Sequence, residues 1–210
     1  YYYSTKLITT GIMYNTQAAM KPVSWKDLEK PEAKGLVTMP SPLTSGAALI
    51  HAQTIAGVPS LGWDYYKALA ANGAIAAGGN GAVLKSVASG EKAYGVVVDY
   101  MPIREKAKGA PIEFIFPEEG VSAVTEPVGI LAHTKHADAA KKFVDYVLST
   151  KGQEGFVKLG YIPARNDVAL PEGFPARDKI KVLPINAAEA LKNSEKDLKT
   201  FSDIFGGSKG

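Results

Sequence analysis

Residues 39–48 read Met39-Pro40-Ser41-Pro42-Leu43-Thr44-Ser45-Gly46-Ala47-Ala48 and join two segments of different character. The preceding residues, 36–39, are mostly apolar and predict a short buried strand. The following residues, 47–56, contain no glycine or proline and carry apolar side chains at helical spacing, which predicts a helix. The quoted stretch is therefore a turn between a strand and the start of a helix, the connection from which α/β folds are built.

This turn has the composition of an anion site. The first amides of a helix have no intrahelical partner, and the helix macrodipole adds about half a positive charge there. Small side chains would let an anion reach these amides, and hydroxyl groups would add donors. The residues concerned are Thr44, Ser45, Gly46 and Ala47. The alternative is an ordinary helix cap that binds nothing. The stretch matches neither the Walker nor the dinucleotide-binding glycine pattern.

Composition narrows the classes of partner. The chain has 210 residues and a net charge of +3, which is enough material for one large or two small domains but too little charge to indicate nucleic acid. We expect a small anionic ligand instead. No apolar stretch approaches the roughly 20 residues that span a bilayer, so no direct membrane insertion is expected. Cysteine is absent, which excludes disulfides and thiolate chemistry. The chain opens on Tyr1 without an initiator Met or signal peptide, as expected of a processed product or a fragment.

A second glycine-rich turn resembles the first in character. Gly78-Gly79-Asn80-Gly81 leads into a predicted helix, with Asn80 as its expected cap and Gly90 at its end. An apolar strand follows over residues 93–98 and ends in Asp99-Tyr100. In α/β sheets ligands bind at the carboxyl ends of the strands, where helix starts converge. The two turns and Asp99-Tyr100 are expected at that edge. Either a protein partner or a ligand donor would satisfy Asp99.

The remaining pattern predicts an α/β fold with a mixed, mostly parallel sheet flanked by helices. Further strands are predicted at residues 7–14, 112–116 and 128–131. Further helices are predicted at residues 24–28, 60–70, 138–148, 153–159 and 186–198. The helix at 138–148 is amphipathic, with Ala139, Phe143, Val144 and Val147 predicted to face inward. Residues 204–207 are read as a tail after the last helix.

No catalytic constellation is visible in the sequence. The histidines His51, His133 and His136 are scattered without metal-ligand spacing, and Ser45 lacks the GxSxG elbow of a nucleophile. Glu118-Glu119 lies in a turn where solvated acids are expected. The sequence favours a binding protein without a cofactor or metal over an enzyme. A phosphate-ester-handling enzyme is the alternative of another class, and Asp99 is its one visible general base.

The order of these motifs is similar to that of the bacterial ferric-ion-binding-like family, the periplasmic solute-binding proteins of ABC importers. The residues that carry the resemblance are Thr44-Ser45-Gly46-Ala47, the pattern Asn-x-x-Val-Leu-x-x-Val-x-x-Gly-Glu from Asn80, and the strand ending at Tyr100. Residues 126–131, the helix from Ala137 and residues 160–165 also resemble the family. The resemblance runs over nearly the whole chain.

The resemblance implies a type II periplasmic binding fold whose two lobes hold a solute in the cleft between them. It also implies a periplasmic location and delivery to the membrane permease of an ABC importer. The chain would correspond to everything after about the first hundred residues of such a protein. Residues 7–130 with 182–210 would form the second lobe. Residues 1–6 and 131–181 would form the hinge and the remaining part of the first lobe.

The resemblance also implies a set of site residues. The family's anion cradle carries over to Ser45, Gly46, Ala47 and Asn80, with Thr44 as a neighbour. Ferric members place two adjacent tyrosines after the strand, and here Tyr100 is followed by Met101, a soft ligand poorly suited to ferric iron. We therefore expect a phosphonate or phosphate ester, with Asp99 and Tyr100 facing its other end. Ferric iron bound with a synergistic anion, using Tyr100, is the runner-up.

Overall fold

The computed structural model describes residues 2–206 and divides into two compact units. Unit 1 contains the residues up to Ile8 together with Val124–Lys179. Unit 2 contains Thr9–Ala123 and the residues from Ile180 onward. The strands are β1 (Tyr2–Asn15), β2 (Val37–Met39), β3 (Ile75–Ala76), β4 (Tyr94–Val98), β5 (Ile112–Ile115), β6 (Ser122–Gly129) and β7 (Ile162–Pro163). The helices are α1 (Gly46–Ala56), α2 (Gly62–Ala71), α3 (Asn80–Ala88), α4 (Tyr100–Ala107), α5 (Ala137–Leu148), α6 (Thr150–Lys158) and α7 (Ala187–Phe205). Short 3-10 helices cover Trp25–Glu29, Pro31–Ala33 and Arg177–Lys179.

The sheet of unit 2 has the strand order β3-β2-β4-β1-β5. Strand β2 runs parallel to both β3 and β4, whereas β1 runs antiparallel to β4 and β5. Thr38 of β2 pairs with Ile75 on one side and with Gly95 on the other. The three parallel strands therefore end at one edge of the sheet, and the polar turns that follow them begin there. The predicted α/β class with a mixed sheet flanked by helices is confirmed.

Helices cover both faces of this sheet because its central strands are apolar on both sides. Ile12 and Val96 belong to the larger core, which α1, α2 and α7 complete. Met13 and Val97, the next residue on each strand, belong to a second cluster with α3. Helix α7 closes the larger core through Phe201, whose ring lies 5.4 Å from that of Tyr66. Alternation along β1 and β4 thus fixes which helices pack on which face.

Unit 1 is built around the first half of β1, which pairs with β7. Gln153 of α6 is fully buried and donates to the carbonyls of Thr5 and Val147, at 2.8 and 2.9 Å. The ammonium of Lys6 lies about 5 Å from the rings of Phe156 and Tyr161, at 5.1 and 5.0 Å. These contacts join α6, and Tyr161 after it, to β1 within this unit.

Several predicted elements differ from the structure. Helix α4 was not among the predicted elements. Its Pro102 is the third helical residue, in the first turn, where proline is tolerated. Helix α7 continues through Phe205, so Ile204 and Phe205 are helical rather than a tail, and Gly207 lies outside the described residues. Phe143 of α5 is 62% exposed, and within that helix only Val144 is buried. In residues 2–206 no helix combines the length and apolarity that a membrane span requires.

Candidate functional site

The start of α1 is held by the residues of the turn itself. Ser45 is the N-cap, and its Oγ accepts a hydrogen bond from the amide of Ala48 at 3.3 Å. The amide of Ser45 donates to the carbonyl of Ser41 at 3.0 Å. Serine caps a helix well because its short side chain reaches the orphan amides of the first turn. The predicted helix start at Ser45 is confirmed.

The start of α3 lacks a side-chain cap, which corrects the prediction for Asn80. Gly79 is the N-cap and Asn80 is the first residue of the helix. The Asn80 side chain is used elsewhere: its Oδ1 accepts from the amide of Val98 at 3.1 Å. Asn80 therefore ties the start of α3 to the end of β4 rather than capping its own helix.

Three hydrogen bonds join the two turns. The amide of Ser41 and the hydroxyl of Thr44 both donate to the carbonyl of Gly78, each at 3.0 Å. The Nδ2 of Asn80 donates a hydrogen bond to the Oγ of Ser45, at 3.5 Å. The starts of α1 and α3 are thus neighbours. The hydroxyl hydrogen of Thr44 is engaged within the protein, so Thr44 stabilises the turn rather than adding a donor.

Four backbone amides at these two helix starts have no acceptor among residues 2–206. They belong to Gly46, Ala47, Asn80 and Gly81. Neither α1 nor α3 has an acidic residue in its first turn. A Cβ added at Gly46 or Gly81 would meet no atom within 4 Å, so open space lies in front of both glycines. We call this group of four amides, with Ser45 Oγ, the cradle. Its donors and uncompensated dipoles suit a small oxyanion.

Asp99 has its carboxylate engaged by protein groups. It is 1% exposed and is the N-cap of α4, accepting from the Tyr100 amide at 2.6 Å. Its other oxygen accepts from the amide and the hydroxyl of Thr9, at 2.8 and 2.7 Å. Burial raises the pKa of Asp99 to about 6, and the hydrogen bonds from Thr9 and Tyr100 oppose this rise. Of the two alternatives left open by the sequence, the structure supplies the protein partner.

Tyr100 lies at the same edge of the sheet, as the first residue of α4. Its side chain is half-buried. The part of the chain that the structure describes contains no group of three or more His, Asp or Glu residues arranged to hold a metal ion.

The cradle lacks the partners that a nucleophile needs. The two groups that hydrogen-bond to Ser45 Oγ are a backbone amide and a carboxamide N–H, and neither accepts a proton. His51 of α1 is buried, with its Nδ1 2.9 Å from the Oγ of Ser122. Burial lowers the pKa of His51 to about 3, so its ring is neutral. The arrangement offers hydrogen-bond donors to an anion, and among residues 2–206 no general base contacts the Oγ of Ser45.

Two residues of this region were missed by sequence reasoning. Gly78 joins the two turns through its carbonyl, and Thr9 holds Asp99. Neither could be found from the sequence, because a carbonyl carries no residue signal and Thr9 lies 90 residues from its partner. The Glu119 carboxylate was read as solvated, yet it accepts from the Ser24 hydroxyl at 2.5 Å and from the Trp25 amide at 3.2 Å.

The chain is similar to known proteins both in sequence and in fold. The family model of the bacterial extracellular solute-binding proteins matches residues 1–191. A Haemophilus influenzae protein described as uncharacterized is 32% identical over 152 residues, covering 69% of this chain and 44% of that protein. The Fe(3+)-binding periplasmic protein of Serratia marcescens is 28% identical over 196 residues, covering 88% of this chain and 55% of that protein. The chain thus spans about half the length of these two relatives.

Solved structures share the fold. The periplasmic binding protein AfuA from Actinobacillus pleuropneumoniae, with fructose-6-phosphate bound, superposes with a TM-score of 0.82 at 23% identity. That match covers 98% of this chain and 68% of AfuA. Together with the family match over residues 1–191, it identifies the chain as a member of the bacterial extracellular solute-binding protein family with the type II periplasmic binding fold.

Proposed function

We propose that this chain captures a phosphate ester or phosphonate, with the phosphoryl oxygens bound on the cradle, as the solute-binding component of an ABC importer. Members of the family bind small solutes and deliver them to ABC permeases. The observation that carries the proposal is the pair of adjoining helix starts with four unpaired amides and no acid in either first turn.

The phosphoryl group fits this arrangement for chemical reasons. Its oxygens accept several hydrogen bonds at once, and its negative charge complements two helix dipoles. The hydroxyl hydrogen of Ser45 has no acceptor among residues 2–206 and can donate to the same group. AfuA, which shares the fold, was solved with fructose-6-phosphate bound, and this supports a sugar phosphate as the first ester to test.

The lobe assignment, the roles of Asp99 and Tyr100, the location and the partner belong to the same proposal. Residues 7–130 with 182–210 would form the second lobe, and residues 1–6 and 131–181 would form the hinge and part of the first. Asp99 would act on the cargo indirectly, by fixing the start of α4 through the Tyr100 amide. Tyr100 would contact the organic end of the ester. The protein would work in the periplasm and hand its cargo to a membrane permease.

Ferric iron is the second candidate, because the Serratia marcescens relative is named an Fe(3+)-binding protein. The residue after Tyr100 is Met101, whose thioether is a poor ligand for ferric iron. Ferric loading would give a visible tyrosinate charge-transfer band that Tyr100→Phe removes. A protein that stays colourless with excess ferric citrate would eliminate this candidate.

Ligand-induced thermal stabilisation and calorimetry of the purified chain test the ester proposal. Fructose 6-phosphate should raise Tm and bind saturably, whereas fructose should do neither. Gly46→Val should abolish both effects, because a branched side chain beside the Gly46 amide would obstruct the phosphoryl group, and the fold leaves room for that side chain.

The matched control is Gly155→Val. Gly155 lies inside α6 and also has no atom within 4 Å of an added Cβ, so the change tests a helical glycine in unit 1. It should leave binding intact. Binding that survives Gly46→Val unchanged would refute the role of the cradle. Turnover of the ester that is lost in Asp99→Asn would instead favour the enzyme alternative.

A further inference from the structure

Behind the turn that precedes α1, unit 2 contains a small cavity with a partly polar wall. Its volume is about 10 Å³. This is about the least that a cavity needs to hold one water molecule. The turn contributes Pro42, α1 contributes Ala48 and His51, and α2 contributes Tyr66. Thr10 and Asn80 are also in the wall. The cavity therefore lies between the base of the cradle and the larger core.

Two residues of this wall carry buried polar atoms that no protein group satisfies. In residues 2–206, neither His51 Nε2 nor Tyr66 Oη has a hydrogen-bond partner. His51 is 4% exposed and Tyr66 is 1% exposed, so bulk solvent does not satisfy them either. Buried polar atoms in folded proteins almost always have a partner in the protein or in ordered water. Their shared cavity is the place where such a partner would fit.

The protonation of the His51 ring decides whether the partner of Nε2 must donate or accept a hydrogen bond. Nδ1 is 2.9 Å from Ser122 Oγ, and the ring packs 4.8 Å from that of Trp25. Because burial keeps the imidazole neutral, one ring nitrogen carries a hydrogen and the other accepts. Nε2 thus needs an acceptor in one tautomer and a donor in the other. A water molecule can serve as either and can pair with a tyrosine hydroxyl at the same time.

We propose that this cavity is a hydration site in which one buried water bridges His51 Nε2 and Tyr66 Oη. Thr10 and Asn80 provide the further polar side chains of the wall. The volume excludes an organic ligand, and the wall contains no carboxylate that would favour a cation. Because Pro42, Ala48 and Asn80 also line the cavity, this water supports the cradle from its inner side. The site does not depend on which solute the protein carries.

The chain offers a matched pair of variants for the test. Tyr65 neighbours Tyr66 on α2, is 2% exposed, and also has a hydroxyl without a protein partner. Tyr65, however, does not line the cavity. If water bridges Tyr66, then Tyr66→Phe removes a hydrogen bond and leaves the water poorly held. Tyr65→Phe removes an equally buried hydroxyl that does not line the cavity, so the proposed water bridge stays intact.

We expect Tyr66→Phe to lower Tm by about 2–4 °C relative to Tyr65→Phe. A crystal structure at a resolution where ordered waters are visible should contain density at about 2.7–3.2 Å from both His51 Nε2 and Tyr66 Oη. That density should weaken or vanish in Tyr66→Phe and persist in Tyr65→Phe. Equal Tm values for the two variants, or a wild-type cavity without density, would overturn the proposal. The density criterion also decides the matter if Tyr66→Phe does not fold.

Discussion

Helices α1 and α3 begin differently from helix α7, although all three belong to unit 2. At the start of α7, Asn186 accepts from the amides of Ala188 and Glu189, both at 3.2 Å, and Glu189 places a carboxylate in the first turn. At the start of α1 the cap satisfies only the amide of Ala48, and α3 has no side-chain cap. We call a helix start closed when a carboxylate caps it or lies in its first turn, and open when none does. The start of α7 is thus closed, whereas those of α1 and α3 are open.

Helix α4 adds a third case at the same sheet edge as α1 and α3. Its positive end is closed by the buried carboxylate of Asp99. An open helix start costs the fold the capping and charge interactions that a closed one provides. Two adjoining open starts are what the proposed capture of an anionic solute predicts. The following changes test this difference between open and closed starts, from the largest expected effect to the smallest.

Gly46→Asp should convert the open start of α1 into a closed one. Placing a carboxylate against a bound phosphate costs several kcal/mol, so affinity for fructose 6-phosphate should fall about 100-fold or more. The free protein should gain about 0.3–1 kcal/mol, because the acid interacts with the helix dipole. Calorimetry and thermal denaturation measure the two effects.

Ala188→Asp at α7 is the control, because it adds an acid to a start that is already closed. Its affinity should equal that of the wild type. A Gly46→Asp protein that binds the ester normally would contradict the comparison.

The carboxylate that closes the start of α4 should make the stability of the protein depend on pH. Because the pKa of Asp99 is raised from 3.8 to about 6, its contribution to stability is fully present below 3.8 and is lost as the pH rises through about 6. Subtracting the Tm of Asp99→Asn from that of the wild type should give a difference that shrinks by a few degrees between pH 4 and pH 7. A difference that is constant or grows over this range would refute the assignment.

Asn80→Ala should weaken both stability and binding. It removes the acceptor for the Val98 amide and the contact with Ser45 Oγ. We expect a loss of about 1 kcal/mol in stability and about a 10-fold loss in ester affinity, equivalent to about 1.4 kcal/mol. Asn186→Ala, which removes the side-chain cap of α7, should lower Tm to a similar degree and leave affinity unchanged. Equal affinities in the two variants would mean that Asn80 has no special part in the cradle.

Ser45→Ala should give the smallest change in binding. The lost cap lowers stability by about 1 kcal/mol, and loss of one hydroxyl donor among several should reduce affinity only a few-fold. Ser149→Ala removes the equivalent cap of α6, whose Oγ accepts from the Gly152 amide at 3.2 Å. The control should match the stability loss and retain full affinity. Equal binding by both proteins would limit Ser45 to a structural role.

The sequence predicted the elements whose signals are local. The turn before α1, the cap at Ser45 and the glycine after α3 follow from side-chain chemistry within a few residues. Asn80 was expected to cap α3, and this prediction was wrong. The neighbouring residues do not reveal that the amide of Val98, 18 residues away, donates to the side-chain Oδ1 of Asn80. Whether a protein group or a ligand satisfies Asp99 could not be decided from the sequence for a related reason. Its partner Thr9 reaches it only through the pairing of β1 with β4.

Helix α7 covers the core of unit 2 from the far end of the chain. Gln53 of α1 donates to Ala190 and Asp197 of α7 at 2.7 and 2.8 Å, and Phe201 packs on Tyr66. On the ribosome, the nascent polypeptide would contain every cradle residue long before Phe201 is added. Its aromatic interior would stay uncovered throughout that interval, which is when aggregation competes with folding. A product of interrupted translation would thus contain the cradle residues without the helix that covers the core beneath them.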